Sequence, residues 1–334
     1  MSKKFNWYNL LKTLLFIFIS TNASATIWSI NNVGIDADFI GINEAHDSEN
    51  VKDGDTLYIT GSTKSYGDFV CTKNLNIIGP GYLLGENTDT QANLSSATMV
   101  NITYNPGSEG SSITGMVINI INIYCSDITI KRNMIAGIDF HRPSVNILIV
   151  QNLIDATKLT GHCIHFSANS EVNNLIISNN IVTTTYGSYA IAMGEKDQAI
   201  IKNNVLDGSL GIYSSTFHNN IQSTGPTVVL TNCDVQNNIG HSNKFGTTNG
   251  NIPNIDMTTV FVGTGSQDGK WQLAENSPAI NAGFNNVDCG AFDGTDPYIL
   301  SGIPMIPSIY YVDAPAIASE VSGLPVHIKV KSRN

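Results

Sequence analysis

Charge is scarce in this 334-residue chain: Asp, Glu, Lys and Arg make up 13% of it, with 17 basic against 27 acidic side chains and a formal net charge of −10. So little cationic surface excludes a nucleic-acid or anionic-membrane binder, whose affinity rests on clustered Lys and Arg. Long apolar runs are lacking too. The run from Leu14 to Ile19 falls far short of the ~20 residues a membrane-spanning helix needs. It follows Lys3, Lys4 and Lys12 and precedes the small-residue pattern Ala23-Ser24-Ala25. Residues 1–25 therefore read as a cleavable signal peptide, and the protein as secreted or displayed on the cell surface without a membrane span. Cleavage would remove three lysines, and 17 − 3 leaves 14 basic against 27 acidic groups, net −13. No cysteine follows the run to carry a lipid.

Cysteine pairs at zinc-type or redox spacing are also missing. Five thiols remain, at Cys71, Cys125, Cys163, Cys233 and Cys289, an odd number for an exported chain. Cys233 occupies a core position of the repeat below and reads as a small hydrophobe. One disulfide elsewhere is compatible with export, and the sequence does not identify its pair.

What the chain does contain is a repeat. Ile128-Thr129-Ile130-Lys131-Arg132-Asn133-Met134-Ile135 recurs as Ile147 to Ile154, Leu175 to Val182, Ala199 to Leu206, Ser215 to Gln222 and Cys233 to Gly240. Each copy centres on an asparagine, at Asn133, Asn152, Asn180, Asn204, Asn220 and Asn238, with variable lengths between. A stacked solenoid tolerates variable spacing because extra residues bulge from its turns. Period-2 alternation on either side of the asparagine marks two short strands meeting at a bend, with apolar side chains inside. Asparagine accepts left-handed backbone angles, and its amide both donates and accepts. Copies ~4.8 Å apart therefore form an internal ladder, a structural role.

These residues resemble the right-handed parallel β-helix repeats of the pectate-lyase-like superfamily. The fold implied is all-β: a right-handed parallel β-helix with an N-terminal capping helix and a C-terminal extended cap. Asp36 to Glu49, with Phe39, Ile40, Ile42 and Ala45, reads as an amphipathic helix covering the open N-terminal end. Ser277-Pro278-Ala279-Ile280-Asn281-Ala282-Gly283 and Asp288-Cys289-Gly290-Ala291-Phe292 resemble a terminal segment of bacterial surface β-helix proteins that closes the stack. The organisation expected is 1–25 signal peptide, 26–53 N-terminal cap, 54–262 β-helix, 263–299 C-terminal cap, and 300–334 a docked extended segment with edge strands.

Aligning the inward residues Ile138 and Phe140, Ile164 and Phe166, Ile191 and Met193, Ile212 and Ser214 predicts an outward column of Asp139, His165, Ala192 and Tyr213. His141, Ser167, Gly194 and Ser215 fall beside it, with Arg142 at the margin. Asp139 next to His165 is the pairing in which a carboxylate orients an imidazole as general base. The candidate catalytic set is Asp139, His141, Arg142 and His165, and Tyr186, Tyr189 and Tyr213 are candidate carbohydrate contacts. Against catalysis, Arg142-Pro143 lacks the second arginine of the pectate lyase Arg-x-Pro-x-x-Arg element. Gly161-His162-Cys163 is not the Gly-His-Gly of polygalacturonases, and alternation would send His162 and His165 to opposite faces. Acids are scattered rather than stacked, so no metal or cofactor is assigned; calcium is compatible with the acidic balance but has no clear site. The function expected is a monomeric, non-catalytic scaffold contacting a polysaccharide or surface glycan. The alternative is a divergent polysaccharide lyase or glycoside hydrolase.

Overall fold

A computed structural model describes residues 25–34, 36–157, 161–185, 187–315, 317 and 323–332. The signal peptide, Ala25 apart, and Tyr186 lie outside the described residues.

The short β-branched runs on either side of each bend form strands, as their length and branching favour. Ten of them pair in parallel into one sheet: Ile27–Ile30, Thr56–Ile59, Asn76–Ile78, Ser112–Thr114, Thr129–Lys131, Ser144–Val150, Val172–Ser178, Ala199–Lys202, Thr216–His218 and Asp234–Gln236. A second, 13-stranded sheet opens with Phe69–Cys71, Ala97–Tyr104, Met116–Ile123 and Met134–Phe140, and then forks. One branch continues through Leu153–Asp155, Ile181–Thr183, Val205–Asp207, Ile221–Thr224 and Ile239–Gly240; the other through Ile164–Phe166, Tyr189–Ala192, Ser209–Tyr213 and Val228–Thr231. The fork arises because Met134 and Ile135 pair with Leu153 and Ile154, whereas Ile138 and Phe140 pair with Ile164 and Phe166. The described residues thus form an all-β, solenoid-like stack of parallel coils.

Its core is built from rows. Ile113, Ile130, Ile149, Ile177, Ile201 and Phe217 follow one another in register, all fully buried. Burying each such side chain stabilises the fold by about 1.5–3 kcal/mol, and like stacking on like keeps the coils in phase.

The asparagine ladder forms, and it is longer than the repeat suggests. From Asn152 through to Asn251 each ladder oxygen accepts the backbone N–H of the asparagine one coil earlier at 2.9–3.0 Å, and the Asn133 oxygen accepts from Met116 N at 3.1 Å. Asn251 is a seventh member. The left-handed residue is not the ladder asparagine but the one before it: Arg132, Gln151, Asn179, Asn203, Asn219 and Asn237 have φ between 54° and 60°. That conformation turns the preceding side chain outward while the ladder amide turns in.

Those outward side chains hold the C-terminal segment. Asn237 Nδ2 donates to Ala282 O, Asn203 Nδ2 to Asp288 O, Asn179 Nδ2 to Asp293 O, Gln151 Nε2 to Asp296 Oδ1 and Arg132 Nη1 to Ile303 O. Residues 282–303 therefore run back down the flank as a strap across successive coils. Beneath it, Leu153, Ile181, Val205, Ile221 and Ile239 form a second apolar cluster with Val260, Ala279, Ala291 and Tyr298. That branch is consequently apolar on both faces, as two-sided burial requires.

At the start of the chain the helix is shorter than the Asp36–Glu49 expected and spans only Ile42–Asp47. Asp38 accepts from the N–H and O–H of Ser29, and Phe39 bridges to Ile30 in parallel, so this stretch is extended along the first strand. Ile40, placed on the buried face by the sequence, is 62% exposed. At the other end, Ser308–Asp313 and His327–Lys331 pair antiparallel with each other as a separate two-stranded sheet rather than extending the stack. All five cysteines are free thiols; four are buried and Cys233 is partly exposed. No helix among the described residues is long and apolar enough to cross a membrane.

Candidate functional site

The outer face of the second branch carries the predicted column, in part. Asp139 pairs in register with His165, and His165 with Ala192. The next partner is Gly211, not Tyr213. A bulge between Tyr189 and Ile191 sets Ile191 opposite Leu210, so that Ala192 meets Gly211, two residues before Tyr213. Tyr213 instead pairs with Thr231. Ser214, predicted inward, is exposed in a left-handed turn at φ 46°, and Ser215, predicted outward, is buried.

His165 Nδ1 stands 3.4 Å from Asp139 Oδ1, with the two side chains 43% and 30% exposed. Their neighbour is a residue the alternation argument had sent to the opposite side. His162 precedes the strand that begins at Ile164, so period 2 does not reach it. Its ring lies 5.4 Å from that of His165 and meets Tyr189 edge-on at 5.1 Å. Tyr189 N–H donates to His162 Nδ1 at 3.3 Å, which fixes the tautomer with the proton on Nε2. Burial, reinforced by His165 and opposed by Asp139, holds the His162 pKa below its ordinary value, so at neutral pH this ring is uncharged.

His141 and Arg142 form a separate cluster. The His141 ring stacks on Tyr124 at 4.5 Å and 7°, its Nε2–H donates to Asn122 Oδ1 at 2.9 Å, and the Arg142 guanidinium lies 5.9 Å from the centre of the Tyr124 ring. The four candidate catalytic residues thus divide into Asp139–His165, with His162 beside it, and His141–Arg142, gathered round Tyr124, a ring the sequence does not single out. Tyr189 joins the first pair. Tyr213 has no ring partner among the described residues, and it packs partly against the core. No group of three His, Cys, Asp or Glu among the described residues is placed to hold a metal ion.

Fold and face together define a parallel-β solenoid that presents imidazole, phenol and amide groups across successive coils. Comparison with protein-family models, curated proteins and solved structures finds no match.

Proposed function

We propose that this is an exported, right-handed parallel β-helix of the pectate-lyase-like kind, closed at its ends by residues 26–53 and by its C-terminal segment, and that it serves as a non-catalytic scaffold contacting a polysaccharide or surface glycan. The observation that carries the glycan reading is the pairing of rings with polar edges on one outer face: Tyr124 against His141, and His162 between Tyr189 and His165. Half-exposed rings supply flat apolar surface for the C–H face of a sugar, and the ring nitrogens and Asn122 supply donors and acceptors for its hydroxyls.

The second reading, a lyase or hydrolase, is favoured by one observation, the Asp139 carboxylate beside His165 Nδ1, which would leave Nε2 free to take a proton. The two readings separate in one experiment. The exported chain is incubated with plant, algal and bacterial polysaccharides, and both retention and released product are measured for wild type, Asp139→Ala/His165→Ala and Tyr124→Ala/Tyr189→Ala. The scaffold reading expects binding without product, weakened by loss of the tyrosines. Product that disappears with Asp139 and His165 would replace it with the enzyme, and no binding to any polysaccharide would remove both.

A further inference from the structure

A different region of the molecule carries an open groove lined by rings and charged groups. The last residues of the first branch, Asp155, Thr183, Asp207 and Thr224, follow one another in register. A bulge opposite Leu206 and Asp207 places both Ser223 and Thr224 against Asp207. Both hydroxyls donate to Asp207 Oδ1, Ser223 at 3.0 Å. Asp207 Oδ2 has no protein partner among the described residues. The carboxylate is held by one oxygen and presents the other.

It lines a groove of about 500 Å³ together with a wall that contains Phe261, Lys270 and Trp271. That wall is rigid. Val262 N–H bonds Gln272 O and Gly263 N–H bonds Lys270 O, each at 2.9 Å, and Trp271 packs edge-on against Phe261 at 5.1 Å. Lys270 Nζ sits 5.4 Å from the centre of the Trp271 ring, and no ion pair joins it to Asp207 among the described residues. The indole N–H is buried without a partner among the described residues, so the indole offers the groove its ring rather than a donor.

Complementarity to this lining narrows the occupant. An anion would meet Asp207 in a strongly acidic molecule, a cation would meet Lys270, and a purely apolar molecule would strand both charges. A neutral pyranose has a C–H face for the indole, hydroxyl hydrogens for Asp207 Oδ2, and hydroxyl oxygens for Lys270. We infer that the Trp271–Asp207 groove is a binding subsite for a neutral pyranose unit of a glycan. It lies on another branch from the histidine–tyrosine face and does not depend on that face binding anything.

The full chain carrying Trp7→Phe/Trp28→Phe retains Trp271 as its single indole. Its emission is titrated with cellohexaose, xylohexaose, mannohexaose and hexagalacturonate up to about 10 mM. The expected result is a saturable change with at least one neutral oligosaccharide and none with hexagalacturonate. Adding Asp207→Asn, whose amide oxygen still accepts from Ser223 and Thr224, should weaken that binding about tenfold or more while the circular dichroism spectrum stays that of the parent. The inference is overturned by the absence of a saturable change with every neutral oligosaccharide, by equal binding of hexagalacturonate, or by affinity unaltered in the Asp207→Asn protein.

Discussion

Asn180→Ala is the sharpest perturbation of the ladder. Asn180 is fully buried, and its Oδ1 accepts from Asn152 N at 2.9 Å and Asn152 Nδ2 at 3.0 Å. Its Nδ2 donates to Ile149 O at 2.9 Å and to Ser178 O and Asn204 Oδ1 at 3.0 Å. Alanine leaves the Asn152 N–H without its acceptor, removes one donor from each of two carbonyls, and opens a small void. An orphaned buried donor costs about 1–3 kcal/mol, so with the depleted carbonyls and the void the loss comes to about 3–4 kcal/mol. Urea unfolding should show a lowered midpoint at unchanged slope. The control is Asn146→Gly. Asn146 also bonds its neighbours, Asp127 at 2.7 Å and Asn174 at 2.6 Å, but in solvent and at φ 60°, where glycine is unstrained. Its loss should cost under about 1 kcal/mol. Asn180→Asp adds a pH signature: the buried carboxyl would have a folded pKa raised above its unfolded value, so its penalty is least below the unfolded value and grows as pH rises through the folded one. The midpoint gap to wild type should therefore narrow on acidification. Equal costs for Asn180→Ala and Asn146→Gly, or a pH-independent gap for Asn180→Asp, would refute the ladder as a main stabilising element.

Three further outcomes are expected. Asp268 is fully buried and accepts from Ser301 N at 2.7 Å, Ser266 Oγ at 2.8 Å, Asn87 Nδ2 at 3.0 Å and Tyr298 O–H at 3.3 Å; Asp268→Ala should cost about 3–5 kcal/mol in urea unfolding and expose residues 282–303 to protease first, and a loss under about 1 kcal/mol would sever the strap from stability. Burial pushes the thiols up, Cys71 to about 11 and Cys163 and Cys289 to about 12, so at about pH 8 a disulfide reagent should label Cys233 first and all five only after unfolding; rapid native labelling of Cys163 or Cys289 would contradict the packing. Burial alone would raise the Asp55 carboxyl, but N–H groups of Lys52, Thr26 and Trp28 outweigh it and the net shift is downward; its contribution is present above the ordinary carboxylate value and lost as pH falls through the lowered one, so Asp55→Asn should flatten the acid limb below about pH 4, and an unchanged limb would remove Asp55 from the account.

How far the sequence could be read follows from what alternation encodes. Period 2 sets which side chains point inward, and for Ile138, Ile164 and Ile191 it does so correctly. It carries no information on the register between coils, which puts Gly211 rather than Tyr213 opposite Ala192, and it ends where the strand ends, so it does not place His162, which precedes Ile164. Two other features had signals. Gly250-Asn251-Ile252 repeats the bend with glycine, at φ 74°, in the left-handed position, but the preceding stretch does not alternate. The strap was foreshadowed by paired apolar residues after each bend, Leu153-Ile154, Ile181-Val182 and Val205-Leu206. Two consecutive buried residues in a strand require cover on both faces.

That cover constrains where recognition can occur. The stack has three outer faces, and the strap with its apolar cluster occupies most of one, leaving grooves beside Asp155 and beside Asp207 at the margin of that branch. The outer face of the ten-stranded sheet is built largely from Thr56, Asn76, Ser112, Thr129, Leu148 and Thr216, with outward rings only at Tyr58 and His218 among its described strands. Small hydroxyls and aliphatic groups on flat strands offer little area per contact, whereas rings supply most of the area in carbohydrate recognition. The remaining face concentrates Tyr124, His141, His162, His165 and Tyr189 within a few coils. A ligand that follows the stack axis therefore meets its richest surface there. Substitutions of outward residues on the ten-stranded sheet, such as Thr129→Ala, should leave glycan retention unchanged while Tyr124→Ala/Tyr189→Ala reduces it, and the reverse pattern would place recognition on the face with the fewest rings and break the link between ring content and binding.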